Sequence, residues 1–166
     1  MSLTTLIENS RAAIGADPAK AAAAFKVTGR LVGTTEVTVR AGDRTVTVDE
    51  PPALGGTALG ANPVEHALIA LASCQAITYR FWAAQLGIAL DSVEVVAEGD
   101  LDLRGFFGFD DAVRPGFTAV RLKVTPIGPE PAARYQQLAD AVDAHCPVLD
   151  LFSNATPIER TIAVTA

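Results

Sequence analysis

The 166-residue sequence holds no apolar run of the roughly 18 residues that a membrane span needs. Its longest candidate, residues 67–89, is broken by Ser73, Gln75, Thr78, Tyr79, Arg80 and Gln85. No membrane role is therefore expected. Basic residues are also scarce. Thirteen Lys and Arg face nineteen Asp and Glu, which leaves a net charge of −6. An acidic surface repels phosphates, which argues against a nucleic-acid partner. The N-terminus lacks a basic stretch followed by a long apolar core, so it does not read as a secretory signal. A cytosolic location follows as the expectation. With only two cysteines, a permanent structural disulfide is not expected in such a compartment, and any pairing would be transient and functional. The sequence has no GxGxxG, no GxxxxGK followed by Ser or Thr, and no GxSxG. It has no CxxC or HxxxH pair either. His66, Cys74, His145 and Cys146 therefore lack the spacing of a zinc site, and no metal is expected.

What the chain has in quantity is apolar surface. Hydrophobic residues make up 49% and charged residues only 19%. The length suits one domain with a real core, and the excess apolar content points to further burial in an oligomer interface. No repeat, low-complexity tract or linker divides the chain.

Residues 2–24 read as a helix interrupted at Gly15 and Pro18. From Phe25 the period becomes two, and three antiparallel strands are expected near 25–32, 34–40 and 44–49. A Gly- and Pro-rich loop, "PPALGGTALGA", follows. Asn62 then suits a helix N-cap, Pro63 the first helical position, and Glu65 the third, where a carboxylate can return to the cap amide. The helix should run to Leu86 and stop at Gly87. Its middle, "ALIALASCQAI", is apolar on nearly every face and has to be surrounded. One sheet covers one side only, so a second sheet or a second subunit must cover the rest.

Strands are expected at 92–103 and 117–127, separated by the loop "RGFFGFDDAVRPG". A second helix follows Pro129 and Pro131, with apolar positions at Ala132, Tyr135, Leu138, Ala139 and Val142. Cys146-Pro147 interrupts it. "VLDLFSN" makes a further turn or two, and "TIAVTA", 161–166, a final strand.

Two cysteines remain as candidates for chemistry. Pro147 disfavours helical geometry in the residue before it and suits the first position of a helix, which puts Cys146 at a cap. A thiol there would meet free backbone amides and the positive helix end, both of which lower its pKa. A small apolar residue capping a packed corner is the equal alternative. Cys74, inside the apolar helix, reads on its own as a buried small hydrophobe. His145 suits a helix C-terminus.

Taken together, "LGGTALGANPVEHALIALASC" (54–74), "TYRFWAAQLGIALDSVEVVAEGDLDLRG" (78–105) and "DAHCPVLD" (143–150) resemble the OsmC/Ohr family. The resemblance covers residues 25–166 as one domain, with 1–24 as an N-terminal helical extension. It implies an α+β fold whose antiparallel sheets wrap central helices in an intertwined homodimer. It also implies a thiol peroxidase that reduces organic hydroperoxides. Cys74 would be the peroxidatic residue and Cys146 the resolving one. An external dithiol would reduce the disulfide, with no metal or organic cofactor. Phe106, Phe107 and Phe109 are candidates for an apolar pocket lining or for the core.

The resemblance has a gap at the thiol's activators. Peroxidatic members carry a glutamate directly after the Asn-Pro pair, and here that position is Val64. Glu65 lies one residue later, about 100° round the helix. The supporting arginine is expected in the strands or the loop before the helix. Arg30, Arg40 and Arg44 are available, and Arg40, at a strand end beside the Gly42-Asp43 turn, is the candidate taken. Two competing readings follow: a dimer of this fold that binds a small apolar ligand, and a thiol redox sensor with little turnover.

Overall fold

Ser2 caps the first helix, α1 (Leu3–Ala16), by accepting a hydrogen bond from the Thr5 amide at 3.1 Å. The chain is described here from a computed structural model over residues 2–164. The break comes at Asp17-Pro18, where a single 3-10 turn (Pro18–Ala21) begins, while Gly15 stays within the helix. No residue of α1 is buried.

The period-two segment forms β1 (Val27–Leu31), β2 (Val37–Ala41) and β3 (Arg44–Val48), an antiparallel sheet in that order. Gly42 turns β2 into β3 at φ +60°, a conformation that favours glycine. No strand of this sheet packs extensively on a helix of the chain. All of β1 is exposed, and so are Phe25, at 94%, and Leu31, at 62%.

The loop after β3 is folded back and knotted to Asp49, which is only 2% exposed. The Asp49 carboxylate accepts from Thr35 Oγ1 (2.6 Å), from the Thr57 amide (2.8 Å) and hydroxyl (2.9 Å), and from the Glu50 and Leu59 amides. These donors hold it well below the usual carboxylate range, the Thr35 hydroxyl most of all. Gly56 and Gly60 permit the close return. A Cβ on them would lie 1.8 Å from the Glu50 carbonyl oxygen and 2.1 Å from that of Thr47. The knot fixes the entry into the long helix.

That helix, α2 (Pro63–Leu86), begins and ends where the sequence places it. Asn62 Oδ1 accepts from the Glu65 amide, and Glu65 Oε2 accepts from the Asn62 amide, both at 2.8 Å. Such a reciprocal cap contributes about 1 kcal/mol. Gly87 closes the other end in the left-handed region at φ +60°.

A second antiparallel sheet follows, β4 (Ser92–Asp100) with β5 (Ala119–Ile127). Covered and exposed residues alternate along both strands, and the covered face lies on α2. Between them Leu103–Phe107 forms a short helix, α3, where a plain loop was expected. Asp102 caps α3 and also binds the Arg104 guanidinium. α4 (Ala132–Asp143) and α5 (Pro147–Ser153) then pack on α2. No helix among the described residues is long and apolar enough to cross a membrane.

The core is Tyr79, Ala83, Ile88, Leu90, Leu138 and Val142, with Trp82, Leu86 and Tyr135 against it. It serves mainly the C-terminal half of α2. On other faces of the helix Val64, Ile69, Ile77 and Phe81 remain exposed, Ile77 at 59%. The chain therefore does not surround its own apolar helix. The final strand expected at 161–166 is absent over Thr161–Val164, while Thr165 and Ala166 lie outside the described residues. A strand needs a neighbour for its backbone groups, and no strand pairs with this segment.

Candidate functional site

Cys74 sits midway along α2, half-buried, where β4, α4 and α5 pack on the helix. Cys146 is the N-cap of α5, with extended geometry (φ −81°, ψ 111°) imposed by Pro147, and is 2% exposed. Trp82, two turns beyond Cys74, packs against His145 with ring centroids 4.2 Å apart and the planes tilted by 34°. His145 Nδ1–H donates to the Ala141 carbonyl at 2.7 Å, so the ring is held from both sides. This clamp seats the α4–α5 junction against α2.

The packing of α5 on α2 brings the two thiols, 72 residues apart in sequence (74 to 146), close enough for Cys74 to influence the ionisation of Cys146. Both are free cysteines.

The ionisation of Cys146 differs from expectation. Its helix-cap position alone would lower the pKa, with a small residue in a packed corner as the equal alternative, and the pKa is raised. Burial is the largest cause, and the adjoining Cys74 adds to it. The amides of Leu149 and Val148 pull the other way without overcoming burial, and the thiol makes no well-formed cap bond. A two-turn helix end is too weak a field to offset near-complete desolvation.

Arg40 and Glu65 do not join the thiols within this chain. Arg40 is exposed on β2, between Thr28 of β1 and Thr45 of β3. The Glu65 carboxylate is engaged in the cap of α2. Nor does another arginine replace them. Arg80 donates to the Leu90 and Asp91 carbonyls and Arg134 to the Leu86 carbonyl. Among the described residues no guanidinium bonds to Cys74 or Cys146. Nor do three His, Cys, Asp or Glu side chains gather into a metal-binding group there.

A cleft of about 520 Å3 opens on the Cys146 side, lined by His145, Cys146, Pro147, Leu149, Asp150 and Asn154. A second, of about 450 Å3, lies across α5 and is lined by Leu71, Arg114, Phe117, Leu122, Leu149 and Phe152. Phe106, Phe107 and Phe109 line neither. They are exposed and form no part of the core; Phe107 stacks on Phe109 and meets Phe106 edge-on, each pair with ring centroids 5.1 Å apart.

Gln75 escaped the reading of the sequence. It follows Cys74 directly, is 0% exposed, and neither Oε1 nor Nε2 has a hydrogen-bond partner. Each such unpaired buried group costs about 1–3 kcal/mol. The signal available in the sequence was an amide in an otherwise apolar helix run.

Two antiparallel sheets and helices packed on one long central helix define an α+β protein. More narrowly, the chain belongs to the OsmC family. Residues 55–161, more than half of it, match the family described as OsmC-like protein. The fold is similar to that of an OsmC-like protein from Mycoplasma pneumoniae, with a TM-score of 0.69 at 20% identity, covering 79% of this chain and 88% of that one. It is also similar to an organic hydroperoxide resistance protein OsmC from Legionella pneumophila (TM-score 0.61, 20% identity, 78% and 89% covered). A third is an organic hydroperoxide resistance protein from Elizabethkingia anophelis (0.60, 19%, 78% and 88%). No curated protein matches the chain by sequence.

Proposed function

We propose that this protein is a homodimeric thiol peroxidase that reduces organic hydroperoxides through Cys74 and Cys146. The observation that carries the reading is the juxtaposition of the two free thiols across 72 residues of sequence (74 to 146). The names of the Legionella and Elizabethkingia proteins point to the same substrate class.

The chemistry needs no further group. The Cys74 thiolate attacks the terminal oxygen of R–O–O–H. A sulfur–oxygen bond forms as the O–O bond breaks. Sulfur gives up two electrons, the peroxide takes them, and the alkoxide picks up a proton and leaves as the alcohol. Cys146 then attacks the Cys74 sulfenic acid. A disulfide forms, and hydroxide leaves as water after taking up the Cys146 proton. An external dithiol restores both thiols by exchange.

A homodimer accounts for the uncovered surface. The exposed first sheet, with Phe25 and Leu31, and the open faces of α2, with Ile69 and Ile77, are apolar surfaces of the kind two subunits bury against each other. The test of activity is a steady-state assay with cumene hydroperoxide and a dithiol. Cys74→Ser abolishes turnover if the reading holds; an unchanged rate removes Cys74 as the nucleophile.

One observation favours a second reading. Among the described residues no guanidinium bonds to Cys74, and burial makes Cys146 hard to ionise. A dimer that binds a small apolar ligand, or that senses oxidant with little turnover, would need no such support. Slow disulfide formation without sustained turnover would select it.

A further inference from the structure

We propose that Gln75 hydrogen-bonds the hydroperoxide group that reaches Cys74. The inference rests on the peroxide reading above and adds a catalytic residue to it. Leu71, Cys74, Gln75 and Thr78 occupy positions i, i+3, i+4 and i+7, the four corners of one patch on a helix surface. Leu71, Gln75 and Thr78 are buried, and Cys74 is half-buried beside them on this patch. Gln75 therefore shares the covered side of α2 with the thiol pair.

Several other polar side chains near Cys74 are already engaged. Thr78 donates its hydroxyl to the Cys74 carbonyl at 2.7 Å. Arg80, Arg134 and Glu65 hold backbone groups elsewhere. His66 also has an unpaired buried nitrogen, but it lies eight residues before Cys74, about 12 Å along the helix axis. Among the described residues, Gln75 alone combines complete burial, adjacency to Cys74 and two free hydrogen-bonding atoms.

Neither amide atom bonds a reduced thiol. The carboxamide is thus unsatisfied until something polar arrives, and it offers a donor and an acceptor together. A hydroperoxide O–OH matches that pair, and so does a sulfenic acid S–OH. Nε2–H donates to the oxygen that takes up charge as the O–O bond breaks, and Oε1 accepts the hydroxyl proton. In this chain a neutral amide supplies contacts that a guanidinium and a carboxylate provide in the peroxidatic relatives. Buried pairing is also stronger than the same bond in water.

The test uses Gln75→Met and Gln75→Leu in a full-length Cys146→Ser parent, where the sulfenic acid persists. Cumene hydroperoxide is added, the Cys74 sulfenic acid is trapped with dimedone, and its rate of formation is followed by mass spectrometry. The Tm of each reduced protein is measured alongside. Oxidation is expected to slow about 10- to 100-fold, in line with losing a hydrogen bond to developing charge. The reduced-state Tm is expected to hold or rise, because no bond is lost. An unchanged oxidation rate overturns the proposal. A Tm lower by more than a few degrees does so too, since it shows the amide bonded in the reduced protein. If the parent itself is not oxidised at Cys74, the peroxide reading fails and the role of Gln75 falls with it. If the parent reacts and the Gln75 variants match it, only the role of Gln75 falls.

Discussion

Trp82 packs against His145 with ring centroids 4.2 Å apart, and through that contact α2 holds the residue next to Cys146. The clamp lies two helical turns from Cys74, on the same helix. It makes the meeting of the two thiols a property of the packing. Trp82→Ala removes a large side chain packed against the core and should destabilise the protein by about 3 kcal/mol. The same change should loosen the α4–α5 junction. Disulfide closure after hydroperoxide addition, followed by mass spectrometry, is expected to fall at least several-fold. Unaltered closure would show that the contact plays no part in aligning the thiols.

The raised pKa of Cys146 makes a statement about pH. Burial and the neighbouring Cys74 favour the neutral thiol in the folded chain. The stabilisation this represents is present below the unfolded thiol value of about 8.5 and is lost as pH rises through the folded value. Alkylation of Cys146 by iodoacetamide should therefore have its midpoint above that of the urea-unfolded protein. In Cys74→Ser the midpoint should move part of the way back. Disulfide closure should likewise quicken above pH 8. A midpoint below the unfolded one would restore the helix-end effect as the stronger cause.

Asp49 has the opposite sign. Its carboxylate is held down by Thr35, Thr57 and Leu59, so its contribution is present above an unfolded pKa of about 4 and is lost as pH falls below it. Asp49→Ala should lower Tm by a constant amount from pH 6 to 8. The gap to the wild type should close as pH falls below about 4. Thermal melts across that range measure both. A gap that persists undiminished at low pH would mean that packing, not the charge, accounts for it.

Leu31 stands 62% exposed on a strand with no covered residue. If the first sheet meets a second subunit, Leu31→Lys places a charge in that interface and should shift sedimentation from dimer toward monomer. A dimer undisturbed by the change would exclude this strand from the interface.

Local chemistry was readable from the sequence, and long-range packing much less so. Asn62, Pro63, Glu65 and Gly87 bounded α2 correctly because caps act within one turn. The period-two strands were equally plain. α3 was missed because its phenylalanines face outward, so no apolar stripe marks it, although Asp102 is a sound cap. The last strand was expected from its β-branched residues, but a strand exists only where another lies beside it. The ionisation of Cys146 came out with the wrong sign for a related reason. Its helix position is local, whereas its burial depends on the packing of α5 against α2. Gln75 stayed hidden because an unsatisfied amide is a property of what surrounds it.

The most direct test treats the reduced protein with one equivalent of cumene hydroperoxide and maps its cysteines by mass spectrometry. A peroxide-driven thiol pair yields an intramolecular Cys74–Cys146 disulfide, which a dithiol then reverses. Recovery of both residues as free thiols, with the hydroperoxide unconsumed, would contradict it.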